Sequence, residues 1–163
     1  MRQLCNLCLC VSIAVGAGSV LSAQAGKAPA KKAPAAKGTM WSANELKWVD
    51  NPAIKGAQQA VLWGDPAKGA YGALKKVPGG TVLPMHSHTN LTRVVMVAGT
   101  ISFTFEGSPA KDLGPQSYTS IPGGVPHTAT CKAGADCVYF ETSIASYNVC
   151  QRPPPSPYCG SSS

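Results

Sequence analysis

Acidic side chains are scarce in this chain, seven Asp and Glu among 163 residues, and only 7% of the residues are aromatic. Histidine is rarer still, at three. Nowhere do aromatic residues interleave with Arg in the manner of single-strand nucleic-acid binders. No glycine-rich loop is laid out to cradle phosphate, and no Gly-x-Ser-x-Gly elbow offers a serine nucleophile. Beyond residue 39 no window keeps a helical period, apart from room for one turn at residues 42–47. These absences set aside phosphate-loop chemistry, serine-hydrolase chemistry and a helical bundle.

The fourteen Lys and Arg give a net charge of +7, which on its face suits a polyanionic partner. Their placement does not. Arg2 stands at the start, and Lys27, Lys31, Lys32 and Lys37 share one Ala/Pro stretch, GKAPAKKAPAAKG at residues 26–38. The remaining nine cations face all seven acids, which leaves +2 for residues 39–163. The stretch holds no apolar residue larger than Ala, so it cannot bury enough surface to offset chain entropy and is expected to be a disordered linker. A solvated spacer explains the basic residues, and no nucleic-acid partner is expected.

Residues 1–25 read as an export signal: Arg2, then a mostly apolar run over residues 4–21, then Ala23-Gln24-Ala25 as a small-x-small cleavage pattern before Gly26. Two other readings exist. Retention as an anchor is weakened by Ser12, Gly16, Gly18 and Ser19, and a lipoprotein would need its cysteine later than Cys5, Cys8 or Cys10. Cleavage implies a periplasmic or secreted protein with no membrane contact afterwards. Four cysteines then remain: Cys131, Cys137, Cys150 and Cys159. An even number in an exported chain points to disulfides, and among the three possible connectivities the spacing favours Cys131–Cys137 with Cys150–Cys159.

The length allows one ordinary domain, placed at residues 39–149, followed by a Pro/Ser-rich strap at 150–163. Short runs rich in Val, Thr, Tyr and Phe (60–63, 71–77, 92–97, 100–105, 117–121, 127–131 and 137–144) alternate with Gly/Pro turns. That pattern predicts an all-β sandwich or barrel.

Met85-His86-Ser87-His88 carries the chemistry. Side chains two apart in a strand point to one face, so His86 and His88 aim together, while Met85 points the other way and is expected in the core. Neutral imidazoles are good ligands for borderline-soft metals. The third histidine, His127, follows a Pro-Gly-Gly-Val-Pro turn, and a barrel can bring both strands to one mouth.

These spacings resemble the cupin superfamily. Its first motif, Gly-x5-His-x-His-x3/4-Glu-x6-Gly, matches Gly80, His86, His88 and Gly99 but has Thr92 in place of the Glu, and its second, Pro-x-Gly-x-x-His, matches residues 122–127. The resemblance covers residues 80–131 closely, and the run 61–66 also looks like a group of exported cupins without assigned activity. It implies a jelly-roll β-barrel with a metal in its mouth, held by His86, His88 and His127 with Thr92 at the family's Glu position. It also implies that two copies can pair through their sheets. A Thr there leaves three neutral ligands around a divalent ion, which favours Zn, Fe, Ni or Cu over Mn and leaves positions open for water or an anionic ligand. Shifting the register by one would put the cation Arg93 in that position and bring Gly99 one residue early, so Thr92 is preferred.

A carboxylate can return from elsewhere. If Cys131–Cys137 closes a hairpin, counting four residues outward along each strand sets His127 directly opposite Glu141. Glu141 would then be a fourth ligand, an acceptor fixing the His127 tautomer, or a catalytic general base; a β-bulge would instead leave it in solvent. Tyr139 shares its face. Lys75, Lys76 and Lys111 read as surface charges. The expected function is a metal-dependent oxygenase, isomerase or lyase acting on a small organic molecule. The rivals are a non-catalytic metal or small-ligand binder and a structural domain with vestigial histidines.

Overall fold

The computed structural model describes residues 38–151. The expected leader (1–25), nearly all of the linker, and the strap beyond residue 151 with Cys159 lie outside the described residues. A short 3-10 turn, Ala43–Glu45, fills the one place with helical character, and the Glu45 carboxylate accepts the Ser42 backbone N–H at 2.8 Å.

Everything else regular is β. One sheet has the order β1 (Val49–Asp50), β2 (Gln58–Gly64), β3 (Tyr71–Val77), β10 (Cys137–Ser143), β5 (Thr92–Ala98), β8 (Tyr118–Ile121). The other has the order β11 (Cys150–Gln151), β4 (Val82–Ser87), β9 (His127–Cys131), β6 (Ile101–Phe105), β7 (Lys111–Leu113). All the pairings are antiparallel. Period-two alternation shows which face is buried. In β5, Thr92, Val94 and Met96 are buried while Arg93, Val95 and Val97 are exposed; in β9, His127, Ala129 and Cys131 turn inward. The inward residues of both sheets form one apolar layer around Val77, Val94, Met96, Ile101, Phe103, Leu113 and Ile121. Two-sided burial of this kind is what holds a short-stranded β-fold together.

Two expectations are corrected here. The strands form two sheets with no ladder joining them among the described residues, so the barrel is not closed. The Cys131–Cys137 disulfide is present, with Cα atoms 5.8 Å apart, but it does not staple a hairpin. Both edges of β9 are taken by β4 and β6, and both edges of β10 by β3 and β5, so these consecutive strands have no free edge for one another. The bridge instead ties one sheet to the other. Cys150 is also disulfide-bonded, and its expected partner Cys159 lies outside the described residues.

One glycine is fixed by backbone crowding. Gly99 has φ +70°, and a Cβ there would lie 2.4 Å from the Asp136 carbonyl oxygen. The final Gly of the first motif is therefore a packing requirement, letting the β5–β6 turn lie against the start of β10.

Candidate metal centre

Strands β4 and β9 are neighbours, and their register sets His86 directly opposite His127. His88 lies just beyond the end of β4 on the same inward face. All three are buried, at 7, 6 and 2% exposure for His86, His88 and His127. The ring centroids are 4.2 Å apart for His86–His127, 5.2 Å for His88–His127 and 5.3 Å for His86–His88. One ring nitrogen from each lies within 4.8 Å of the others.

Backbone carbonyls select the tautomers. His86 Nδ1 lies 2.7 Å from the Pro84 oxygen, His88 Nδ1 2.6 Å from the Asn148 oxygen, and His127 Nδ1 3.0 Å from the Val125 oxygen. A carbonyl oxygen can only accept, so each Nδ1 carries the proton and each Nε2 keeps its lone pair. Phe103 stacks on the His127 ring at 5.2 Å and 18°, fixing its plane. Burial holds His86 below its ordinary value, and it takes His127 down to about 4, with the neighbouring imidazoles adding to the effect. Neutral rings with outward-held protons and converging lone pairs are what a divalent metal needs. The residues present fit the group.

Glu141 reaches the same cavity, though not by the expected route. It is on β10 in the opposite sheet and faces the imidazoles across the interior. The equal count from the disulfide still places it and His127 at similar depth, since each sits four residues from a bridged cysteine. Its ladder partner on β3 is Ala73, whose small side chain leaves room, and the diagonal neighbours Tyr71 and Lys75 close around it. The Tyr71 hydroxyl donates to Glu141 Oε1 at 2.6 Å, and Lys75 Nζ lies 3.4 Å from the same oxygen. Burial by itself raises the Glu141 carboxyl, but the Lys75 ammonium, the Tyr71 hydroxyl and His88 outweigh it and hold the group below the ordinary carboxylate value. Glu141 is only 6% exposed, so the solvated alternative is excluded.

Lys75 is a further correction. Read as a surface charge, it is 5% exposed. Its ammonium donates to Gln59 Oε1 at 3.1 Å and sits 4.1 Å above the Tyr147 ring, which itself lies 5.9 Å from His88. The signal was present in the alternation Tyr71, Ala73, Lys75, Val77, all buried on one face of β3. Sequence reading also missed Tyr71, Tyr147 and Asn148; nothing local to Tyr147 or Asn148 marks them, because their role comes from the path of the chain after β10. Tyr139 lines the cavity and packs against the core. Met85 is half-buried on the outer side of β4 and is not among the core residues.

Thr92 is 3% exposed on the inward face of β5, and its hydroxyl donates to the Asn90 carbonyl at 3.4 Å. It is not among the residues lining the histidine cavity. That inner cavity holds about 50 Å³ and is mostly apolar, walled by Leu83, Val94, Met96, Ile101 and Phe103, with Thr119 and Tyr139 also lining it. His86, His88, Tyr139 and Glu141 also line a wider cleft of about 920 Å³, where Gln59, Lys75 and Tyr147 lie.

Two facing antiparallel sheets, with His86, His88 and His127 converging from one of them, give the chain the fold of the cupins. Solved structures agree on the fold. An RmlC-like cupin from Shewanella frigidimarina superposes with a TM-score of 0.56 at 15% identity, over 68% of this chain and 93% of that one. The polyketide cyclase RemF from Streptomyces resistomycificus gives 0.56 at 20%, over 72% and 83%. The DMSP lyase DddQ from Ruegeria pomeroyi gives 0.51 at 19%, over 61% and 56%. The model of the family described as a domain of unknown function, DUF4437, matches residues 24–150, and the chain belongs to that family. No curated protein matches it.

Proposed function

We propose that this protein binds one divalent metal through Nε2 of His86, His88 and His127 and acts as a metal-dependent enzyme on a small organic molecule, of the oxygenase, isomerase or lyase class. The carrying observation is the convergence of three buried imidazoles, each with its Nδ1 proton tied to a backbone carbonyl. Three neutral nitrogens favour Zn, Fe, Ni or Cu over Mn. A bound ion of this kind would supply Lewis-acid polarisation of a ligand oxygen. Thr92, at the position of the family's Glu, adds no charge to the site.

Glu141 favours catalysis over storage. Both of its contacts fall on Oε1, so Oε2 is the oxygen available to take a proton from a ligand in the cavity. Tyr71 and Lys75 hold the carboxylate in place and charged. The structural relatives include a cyclase and a lyase by name, which supports a small-molecule substrate. A second reading, a non-catalytic metal or small-ligand binder, draws on the inner cavity's size: about 50 Å³ holds roughly three or four waters. The inter-sheet disulfide supports a periplasmic or secreted location. No helix among the described residues is long and apolar enough to cross a membrane.

The test is elemental analysis of protein produced through an oxidising export route. One equivalent of metal is expected, with His86→Ala or His127→Ala emptying the site. Stoichiometric metal that survives both substitutions would overturn the proposal.

A further inference from the structure

The charge inventory of the interior says what kind of ligand the site takes. Among the described buried residues only two side chains carry charge, Lys75 and Glu141, and they are paired with each other. The built-in charge of the pocket is therefore zero. Imidazoles add none when they bind through a ring nitrogen, and the position aligned with the family's Glu is the neutral Thr92. A divalent ion on the three histidines thus brings its full +2 into a cavity whose walls, Thr119, Tyr139 and Glu141 apart, are apolar side chains such as Leu83, Val94, Met96 and Phe103. Uncompensated charge in such surroundings is expensive, by several kcal/mol per ion even after relaxation.

We infer that the site takes a small molecule with an oxyanion head, a carboxylate or enolate, whose negative charge completes the neutralisation that the protein's own ligands leave unfinished; this rests on the metal reading above. The dimensions agree. The inner cavity has room for a head group of a few atoms, and Leu83, His86, His88, Tyr139 and Glu141 line both it and the wider cleft. In the cleft, Gln59 and the Tyr147 ring hold the Lys75 ammonium. The Lys75–Glu141 pair then sets the strength of anion binding without touching the metal. Removing the cation leaves the Glu141 charge to offset the ion, and removing the anion leaves the Lys75 charge to add to it.

The test uses the full-length mature protein loaded with Co²⁺, whose visible absorption reports the ligand sphere, with glycolate as the probe and glycolamide as its uncharged counterpart. Glycolate is expected to change the cobalt spectrum saturably, glycolamide to leave it unchanged, and the metal-free protein to give no binding heat with either. Glu141→Gln should tighten glycolate at least fivefold, Lys75→Met should weaken it at least fivefold, and the double variant should fall within twofold of the native protein. Damage to the pocket would move both single variants the same way, so opposite signs mark charge. If one single variant does not fold, the other single and the double still decide. Equal binding of glycolamide, or both singles shifting together, overturns the inference. Cobalt uptake with no response to glycolate overturns it while leaving the metal centre standing, and a protein that takes up no cobalt removes both.

Discussion

The Lys75–Glu141 pair makes a quantitative claim about stability that does not depend on any ligand. Its side chains are 6 and 7% exposed, with Nζ 3.4 Å from Oε1. At that separation and an effective dielectric near 20, the Coulomb attraction is about 5 kcal/mol, much of it offset by the cost of taking both charges out of water. Lys75→Met keeps most of the aliphatic stem, and Glu141→Gln keeps an acceptor for the Tyr71 hydroxyl. Each single change strands one buried charge and should cost about 3–5 kcal/mol, whereas the double variant strands none and should cost no more than about 2 kcal/mol. The coupling read from the cycle should therefore be at least ~3 kcal/mol. Urea unfolding of chelator-treated protein, followed by tryptophan fluorescence, gives all four free energies, provided the slopes agree. Single costs that simply add in the double variant would mean that the two charges do not sense each other, and the account of the pocket as a neutral pair would fail.

Two further outcomes follow from the same structure. With folded His127 near 4 against an ordinary 6.5, the buried neutral ring contributes stability that is fully present above pH 6.5 and lost as pH falls through 4. Metal-free protein should therefore lose up to about 3 kcal/mol across that window, and His127→Phe should flatten the slope; an unchanged slope in that variant would disprove the assignment. The Cys131–Cys137 bridge closes a loop of sequence separation 6, worth about 2 kcal/mol of denatured-state entropy. Replacing both cysteines with Ala should lower the melting temperature by several degrees while leaving metal affinity within threefold, because the bridge lies four residues along each strand from His127 and Glu141. A large loss of metal would show that the bridge shapes the site itself.

Much of this architecture was legible because β-structure writes its facing into the sequence at period two. The His-x-His spacing, the turn before His127 and the glycine at 99 each encode a local requirement, and each is met. What could not be read was anything decided by which edges are already occupied. The short Cys131–Cys137 loop looks like a hairpin, yet β9 and β10 lie in different sheets because their edges are paired elsewhere. Glu141 was found by a count that assumed a ladder that does not exist, and the count worked because the bridge fixes the depth of both strands. Lys75 was missed for a different reason. Lysine is so seldom buried that its place in an inward alternation was outweighed by its type, and only the partners Glu141, Gln59 and Tyr147, 66, 16 and 72 positions away in the sequence, explain how it is held.

The carbonyl that orients His88 belongs to Asn148, sixty residues downstream, in the segment that continues into β11 and its pairing with β4. Without that segment β4 loses its neighbour β11, and the His88 ring loses the acceptor that fixes its tautomer. A polypeptide cut short after Ser143 would keep the carbonyls of Pro84 and Val125 that orient His86 and His127 and would lack the one that orients His88.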